Sequence, residues 1–138
     1  MKTFVKIIAL ALVTVFVCAT LASCALMAPN ADPEKAEKSL EKKGYEVELV
    51  DDKYSLGFVS LGTGVSDLEC VLTAVDKEDK DEAVRIYYFD EKESADEAWE
   101  KYFEKLAEKA KEEDSDVIVK KSGKMIWYGT KKAINAAK

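Results

Sequence analysis

The side chains that carry most enzyme chemistry are scarce in this sequence of 138 residues, which contains no histidine. That absence excludes His-based catalytic triads, Cys–His dyads and the usual zinc sites. Residues 57–64 have glycines spaced as in a phosphate-binding loop, but Thr63 stands where that loop needs lysine. The acidic run at residues 76–81 has Asp81 where a calcium loop needs glycine. The sequence therefore predicts no catalytic residue, cofactor or metal site, and it leans against an enzyme.

Cys70 is the one cysteine placed well inside the chain, and it lies in the apolar run of residues 70–75. A thiol needs a base or a positive neighbour to become a nucleophile, and no histidine is present to serve. We therefore predict that Cys70 is a small buried hydrophobic residue.

Aromatic residues concentrate in two predicted strands, near Arg85, the only arginine. Alternation places Arg85, Tyr87 and Phe89 on one face of their strand. Tyrosine and arginine are common among the residues that dominate binding interfaces. These three residues are the candidate binding face. In the alternative interpretation, the C-terminal helix or the glycine-rich stretch covers this face.

Hydrophobic patterning predicts the elements that would hold these residues. Asp32 and Pro33 begin a helix that ends near Lys43. The strongest helix begins at Ser94, which forms a capping box with Glu97. Its apolar stripe predicts that Trp99, Phe103 and Leu106 are buried against a sheet. Thr130 caps a last helix over residues 131–137. Strands are predicted at residues 45–49, 69–76, 83–90, 116–121 and 124–129, whereas residues 54–67 fit either a short strand or an irregular loop.

Short hairpins between these strands favour antiparallel pairing. The predicted fold class is α+β: a two-layer domain over residues 32–138, with a mostly antiparallel sheet of four to six strands and helices packed mainly on one face.

The first 23 residues have the layout of a secretory signal peptide: a positive start, an apolar run and small residues at its end. Leu21, Ala22 and Ser23 precede Cys24, and this tetrapeptide resembles the lipobox of bacterial lipoprotein precursors. The resemblance implies that signal peptidase II recognises Leu21, Ala22 and Ser23, and that Cys24 carries a diacylglyceryl group. Residues 24–31 would then be a lipid-anchored tether. A retained transmembrane helix and ordinary secretion are the alternatives.

Removal of residues 1–23 leaves 19 basic and 27 acidic residues, a net charge of −8. Such a domain repels phosphate backbones, so nucleic acid is not an expected partner. Residues 86–89 and 127–134 resemble those of small uncharacterised lipoproteins of Gram-positive, clostridial-type bacteria.

The expected location is therefore the extracytoplasmic face of the cell membrane, in the cell envelope, through acyl chains such as palmitate on Cys24. The expected function is non-enzymatic binding of a protein or small surface ligand. A carboxylate-dependent hydrolase and a structural envelope protein are the alternatives.

Overall fold

The computed structural model describes residues 28–138. The residues of the expected lipobox and signal peptide lie outside that range. In chain order the elements are α1 (Pro33–Lys42), β1 (Tyr45–Val50), α2 (Lys53–Thr63), β2 (Leu68–Asp76), β3 (Ala83–Phe89), α3 (Lys92–Ala98), a π-helical turn (Trp99–Phe103), α4 (Glu104–Glu112), β4 (Val117–Ser122), β5 (Met125–Thr130) and α5 (Lys131–Ala136).

The strands form one antiparallel sheet in the order β1-β2-β3-β5-β4. The predicted α+β class and the antiparallel sheet of four to six strands are thus confirmed. The predicted hairpins are also present, and β3 pairs with β5 although 35 residues separate Phe89 from Met125 in the chain. This non-local pairing places β3, with the candidate binding face, at the centre of the sheet.

The helices are distributed over both faces of the sheet, rather than packed mainly on one. On one side, called here the Trp127 face, α1 and α5 cover a core that includes Leu72, Ile86 and Trp127. On the other side, the Tyr87 face, α2 and the long helical segment from α3 to α4 cover a second core. The physical reason is that β2 and β3 are apolar on both sides, and each side needs a cover.

The helix α2 occupies the stretch that the sequence left as a strand or a loop. The Asp52 side chain caps it by accepting a hydrogen bond from the Ser55 N–H at 2.8 Å, and Gly64 ends it with φ of 76°. A side-chain N-cap and a left-handed glycine after the last turn are common at the two ends of a helix. Leu56 anchors the helix in the core of the Tyr87 face.

The long helical segment begins earlier than predicted. Its first residue is Lys92, preceded by Glu91, and no side chain caps that end. The proposed capping box of Ser94 and Glu97 is therefore wrong. The Ser94 hydroxyl instead donates to Asp67 at 3.4 Å, and it thus ties the helix to the loop that follows α2.

Residues of the expected tether already pack on the domain at Ala28, the first described residue. Ala28 contacts the core of the Trp127 face, and Pro29 is buried. The Asn30 N–H donates to the Ala137 carbonyl at 2.8 Å, while the Tyr88 hydroxyl donates to the Asn30 carbonyl at 2.9 Å. Residues 28–30 are therefore fixed to the domain, and only residues 24–27 of the expected tether lie outside the described range.

Candidate functional site

The structure brings Arg85, Tyr87 and Phe89 onto one face of β3, as alternation predicted, but it buries two of them. Tyr87 and Phe89 belong to the core of the Tyr87 face. The Tyr87 ring meets the Phe103 ring edge to face, with centroids 5.3 Å apart. Tyr87 and Phe89 are therefore not contact residues, and the candidate binding face is corrected to the surroundings of Arg85. The cover is the helical segment from α3 to α4 together with α2, which is the glycine-rich stretch of the alternative interpretation, whereas the C-terminal helix covers the opposite face.

Arg85 is partly exposed, although the long helical segment contacts β3 and β5 through α3 and contacts β4 through α4. In the sheet, Arg85 lies between Thr73 of β2 and Tyr128 of β5, its register partners on the two sides. The Arg85 Nε–H donates to the Thr73 hydroxyl at 3.1 Å. This bond orients the guanidinium, whose remaining N–H groups lie beside the hydroxyls of Tyr87 and Tyr128.

The Arg85 side chain stays positively charged. Burial acts to lower the pKa of Arg85, but the neighbouring hydroxyls of Tyr128 and Tyr87 raise it by more, so the net shift is upward. Burial and Tyr128 raise the pKa of Tyr87, while Arg85 opposes that shift. Arginine is protonated at any physiological pH, and the site therefore presents a permanent cation framed by neutral hydroxyl groups.

Arg85 has no carboxylate partner among residues 28–138. The ion pairs in this range are formed by lysines: Lys92 and Lys121 with Asp96, Lys101 with Glu97, Lys109 with Glu113, and Lys132 with Asp76. A half-buried guanidinium usually has an anionic partner, because removing its charge from water is costly. The missing partner makes Arg85 the strongest candidate for ligand recognition in the described part of the chain.

A cleft of about 290 Å³ opens beside Arg85. Its lining combines hydroxyls, small apolar residues and one acid: Thr73, Asp81, Ala83, Val84, Arg85, Val117, Tyr128, Gly129 and Thr130. Sequence reasoning missed Tyr128 and Thr73 as members of this site. The signal that could have found them is the strand order, since each is the cross-strand neighbour of Arg85.

The carboxyl groups with shifted pKa values are all shifted downward. Backbone N–H groups lower the pKa of Asp52 and of Asp76, and lysine side chains lower the pKa of Asp96 and of Glu97. A general acid in a hydrolase needs the opposite shift, produced by burial or by a neighbouring carboxylate. These four carboxylates therefore act as caps and ion-pair partners.

The acidic run at residues 76–81 is a turn whose acids accept local hydrogen bonds. The Asp76 carboxylate accepts from the N–H groups of Glu78 at 2.8 Å and Asp79 at 3.2 Å. Within residues 28–138, no three Cys, Asp or Glu side chains gather as a set of metal ligands.

Cys70 is buried in the core of the Trp127 face, as predicted. Burial raises the pKa of its thiol to about 12, with a smaller contribution from Glu69. At neutral pH the thiol stays protonated, which removes it as a nucleophile.

None of the helices over residues 28–138 has the length and apolarity to span a membrane. Comparison with protein-family models, with curated proteins and with solved structures finds no match to this chain.

Proposed function

We propose that this protein is a lipid-anchored extracytoplasmic module that binds an anionic group of a protein or small ligand and catalyses no reaction. The anchor rests on Leu21 to Cys24, which resemble a lipobox. Two acyl chains on Cys24 would give stable attachment, since each buried methylene contributes about 0.8 kcal/mol. The binding function rests on the Arg85 cleft.

The observation that carries the binding function is an oriented Arg85 guanidinium that forms no ion pair with a carboxylate of residues 28–138. A guanidinium matches the two oxygens of a carboxylate through two parallel hydrogen bonds. Thr73 already fixes Nε, so little side-chain freedom remains to be lost on binding. Asp81 at the edge of the cleft disfavours highly charged ligands. The site therefore fits a single carboxylate better than a polyanion.

The first prediction concerns the anchor. The mature protein from its native host should begin at Cys24 and carry a diacylglyceryl group, because Leu21, Ala22 and Ser23 stand where lipoprotein-processing enzymes read their signal. Replacing Cys24→Ala removes the acceptor thiol and should leave an unprocessed precursor. Mass spectrometry of the N-terminal peptide measures both. An unmodified Cys24, or an intact Met1, would contradict the anchor.

The second prediction concerns Arg85. Acetate, used as the probe, should shift the Arg85 Nε–H and Tyr128 amide NMR signals of the mature protein in lipid nanodiscs until saturation. The variant Arg85→Lys keeps the positive charge but loses the planar guanidinium that donates two parallel hydrogen bonds to a carboxylate. A hydrogen bond to a charged group contributes about 1.5–3 kcal/mol. We therefore expect its affinity for acetate to fall by about tenfold or more.

A control for the effect of net charge removes a positive side chain on the side of the sheet opposite to Arg85. Lys38→Gln changes an exposed residue of α1, and it should leave the acetate titration unchanged. Because Arg85→Lys leaves the net charge unchanged, a comparable loss of acetate affinity in Lys38→Gln would assign the binding to the overall charge of the protein rather than to the Arg85 guanidinium. Shifts in the wild type that do not saturate would contradict a built carboxylate site and favour a structural envelope protein.

A further inference from the structure

The helix α2 carries an exposed apolar stripe that nothing in the described part of the chain covers. Tyr54, Phe58 and Leu61 follow one another at spacings of four and three, so they lie on one side of the helix. Their exposed fractions are 78%, 60% and 84%. The Tyr54 and Phe58 rings contact each other edge to face, with centroids 5.1 Å apart. Residues 54–65 contain no charged side chain.

The stripe lies near the same end of the sheet as the first described residues. The helix α2 joins the last residue of β1, Val50, to the first residue of β2, Leu68, which pairs with Phe89. This end is called the Phe89 end. Asn30 is fixed there as well, through the hydroxyl of Tyr88, the neighbour of Phe89 in β3. Both α2 and the start of the domain therefore lie toward the Phe89 end, α2 on the Tyr87 face and residues 28–30 on the Trp127 face.

Chain length limits how far this end can be from an anchored Cys24. Four residues of fully extended chain span at most about 14 Å, and Ala28, four residues after Cys24, already packs on the core. A lipid on Cys24 would thus hold the Phe89 end against the bilayer. We propose, on the basis of the proposed lipid anchor, that the exposed stripe of α2 docks on the bilayer surface as a second membrane contact.

The chemistry of the stripe fits the lipid interface. Aromatic and aliphatic side chains enter the boundary between head groups and acyl chains, where the tyrosine hydroxyl stays hydrated. The mature chain has a net charge of −8, so attraction to anionic lipids cannot drive this contact. An uncharged apolar stripe is the kind of surface that an acidic domain needs in order to approach a membrane.

The orientation places the Arg85 cleft toward the periplasm or medium. The cleft is bordered by Asp81, Ala83 and Thr130, which lie at the end of the sheet opposite to Phe89. The proposed membrane contact and the proposed binding site therefore do not compete for one surface.

The test places one fluorescent probe at each end of the sheet. Gly57→Cys lies beside the stripe on α2 and has open space around its Cβ, whereas Lys80→Cys lies on the exposed β2–β3 loop. The nine residues of β2 separate the two ends by about 25–30 Å. Cys70 is buried and a lipidated Cys24 has no free thiol, so the added cysteine is the single accessible one.

The full chain is produced in a bacterium with lipoprotein-processing enzymes and reconstituted in phosphatidylcholine vesicles that carry a nitroxide lipid. We expect strong quenching of the probe at position 57 and little at position 80. The double variant Phe58→Ser and Leu61→Ser should lose the quenching at position 57. The control Leu106→Ser, which also makes an exposed apolar residue polar and does not line the Arg85 cleft, should retain it.

Mass spectrometry of the same samples separates failure of the orientation from failure of the anchor. Quenching at position 57 no stronger than at position 80, on a protein with a lipidated Cys24, would overturn the docking of α2 and leave its stripe to a protein partner. An unmodified Cys24 would overturn the anchor and with it this orientation.

Discussion

Of the glycine-to-alanine substitutions in this protein, Gly129→Ala is expected to destabilise it most. A Cβ at position 129 would overlap the Ala83 carbonyl oxygen and would lie 2.7 Å from the Val84 Cα. Both obstacles belong to the backbone of β3, so no side chain can rotate away. The strands β3 and β5 would have to separate at the centre of the sheet.

The expected cost of Gly129→Ala is about 3 kcal/mol or more, the upper end of what overpacking costs. A small domain has a free energy of unfolding of about 5–15 kcal/mol, so this change removes a large share of it. Urea unfolding followed by circular dichroism measures the loss. The β3–β5 pair also forms one side of the Arg85 cleft, which should therefore lose acetate binding as well.

Gly57→Ala is the matched control for Gly129→Ala. Gly57 lies in α2, and a Cβ there would meet nothing within 4 Å. Alanine is preferred to glycine within a helix by roughly 0.5–1 kcal/mol, so this variant should be slightly more stable than the wild type. Equal midpoints for the two variants would contradict the close approach of β5 to β3.

The features that could be predicted from the sequence are local ones. Asp32 with Pro33 marks the start of α1, and Thr130 caps α5 by accepting from the Ala133 N–H at 3.4 Å, as expected. The hairpin between β4 and β5 turns at Gly123, whose φ is 57°. In each case the signal and the structure that it specifies lie within a few residues of each other.

The helix α2 could not be predicted because its pattern combines two unfavourable signals. Gly57 and Gly62 each reduce helix propensity by about 1 kcal/mol. Its apolar residues are both buried, as at Leu56, and exposed, as at Leu61, so no amphipathic period emerges. The capping residues Asp52 and Gly64 were present in the sequence, but a helix that exposes its large apolar side chains does not follow the usual pattern.

The sequence predicted which residues of the candidate site share a face, but not what covers them, because that depends on the topology of the sheet. The alternation of β3 correctly placed Arg85, Tyr87 and Phe89 on one face, yet it carries no information about which helix covers that face. The neighbours of Arg85 depend on the pairing of β3 with β5, which is distant in sequence. Apolar residues on both sides of β3 were the available sign that helices cover both faces.

The long helix departs from its predicted phase at the π-helical turn, Trp99–Phe103. A π-helical turn accommodates one extra residue and rotates the following helix relative to the preceding one. Phe103, Ala107 and Ala110 therefore continue the inward side, whereas Tyr102 and Leu106 turn outward. The prediction that Leu106 is buried is wrong for this reason, and Trp99 is only half-buried.

This change of phase yields the last prediction, a comparison of Phe103→Ala with Leu106→Ala. Phe103 is 5% exposed and packs on Tyr87. Its truncation leaves a cavity in the core and should cost about 3–5 kcal/mol. Leu106 is 42% exposed, and its truncation should change stability by about 0.5 kcal/mol or less, as for most surface substitutions.

Urea unfolding of the two variants beside the wild type provides the measurement, and the Leu106 variant serves as the control for helix propensity. A regular α-helix would rotate position 106 toward the sheet and reverse much of this difference. If Leu106→Ala cost as much as Phe103→Ala, the helix would lack the π-helical turn. The turn matters for the site, since it keeps Phe103 over Tyr87, whose hydroxyl lies beside the Arg85 guanidinium.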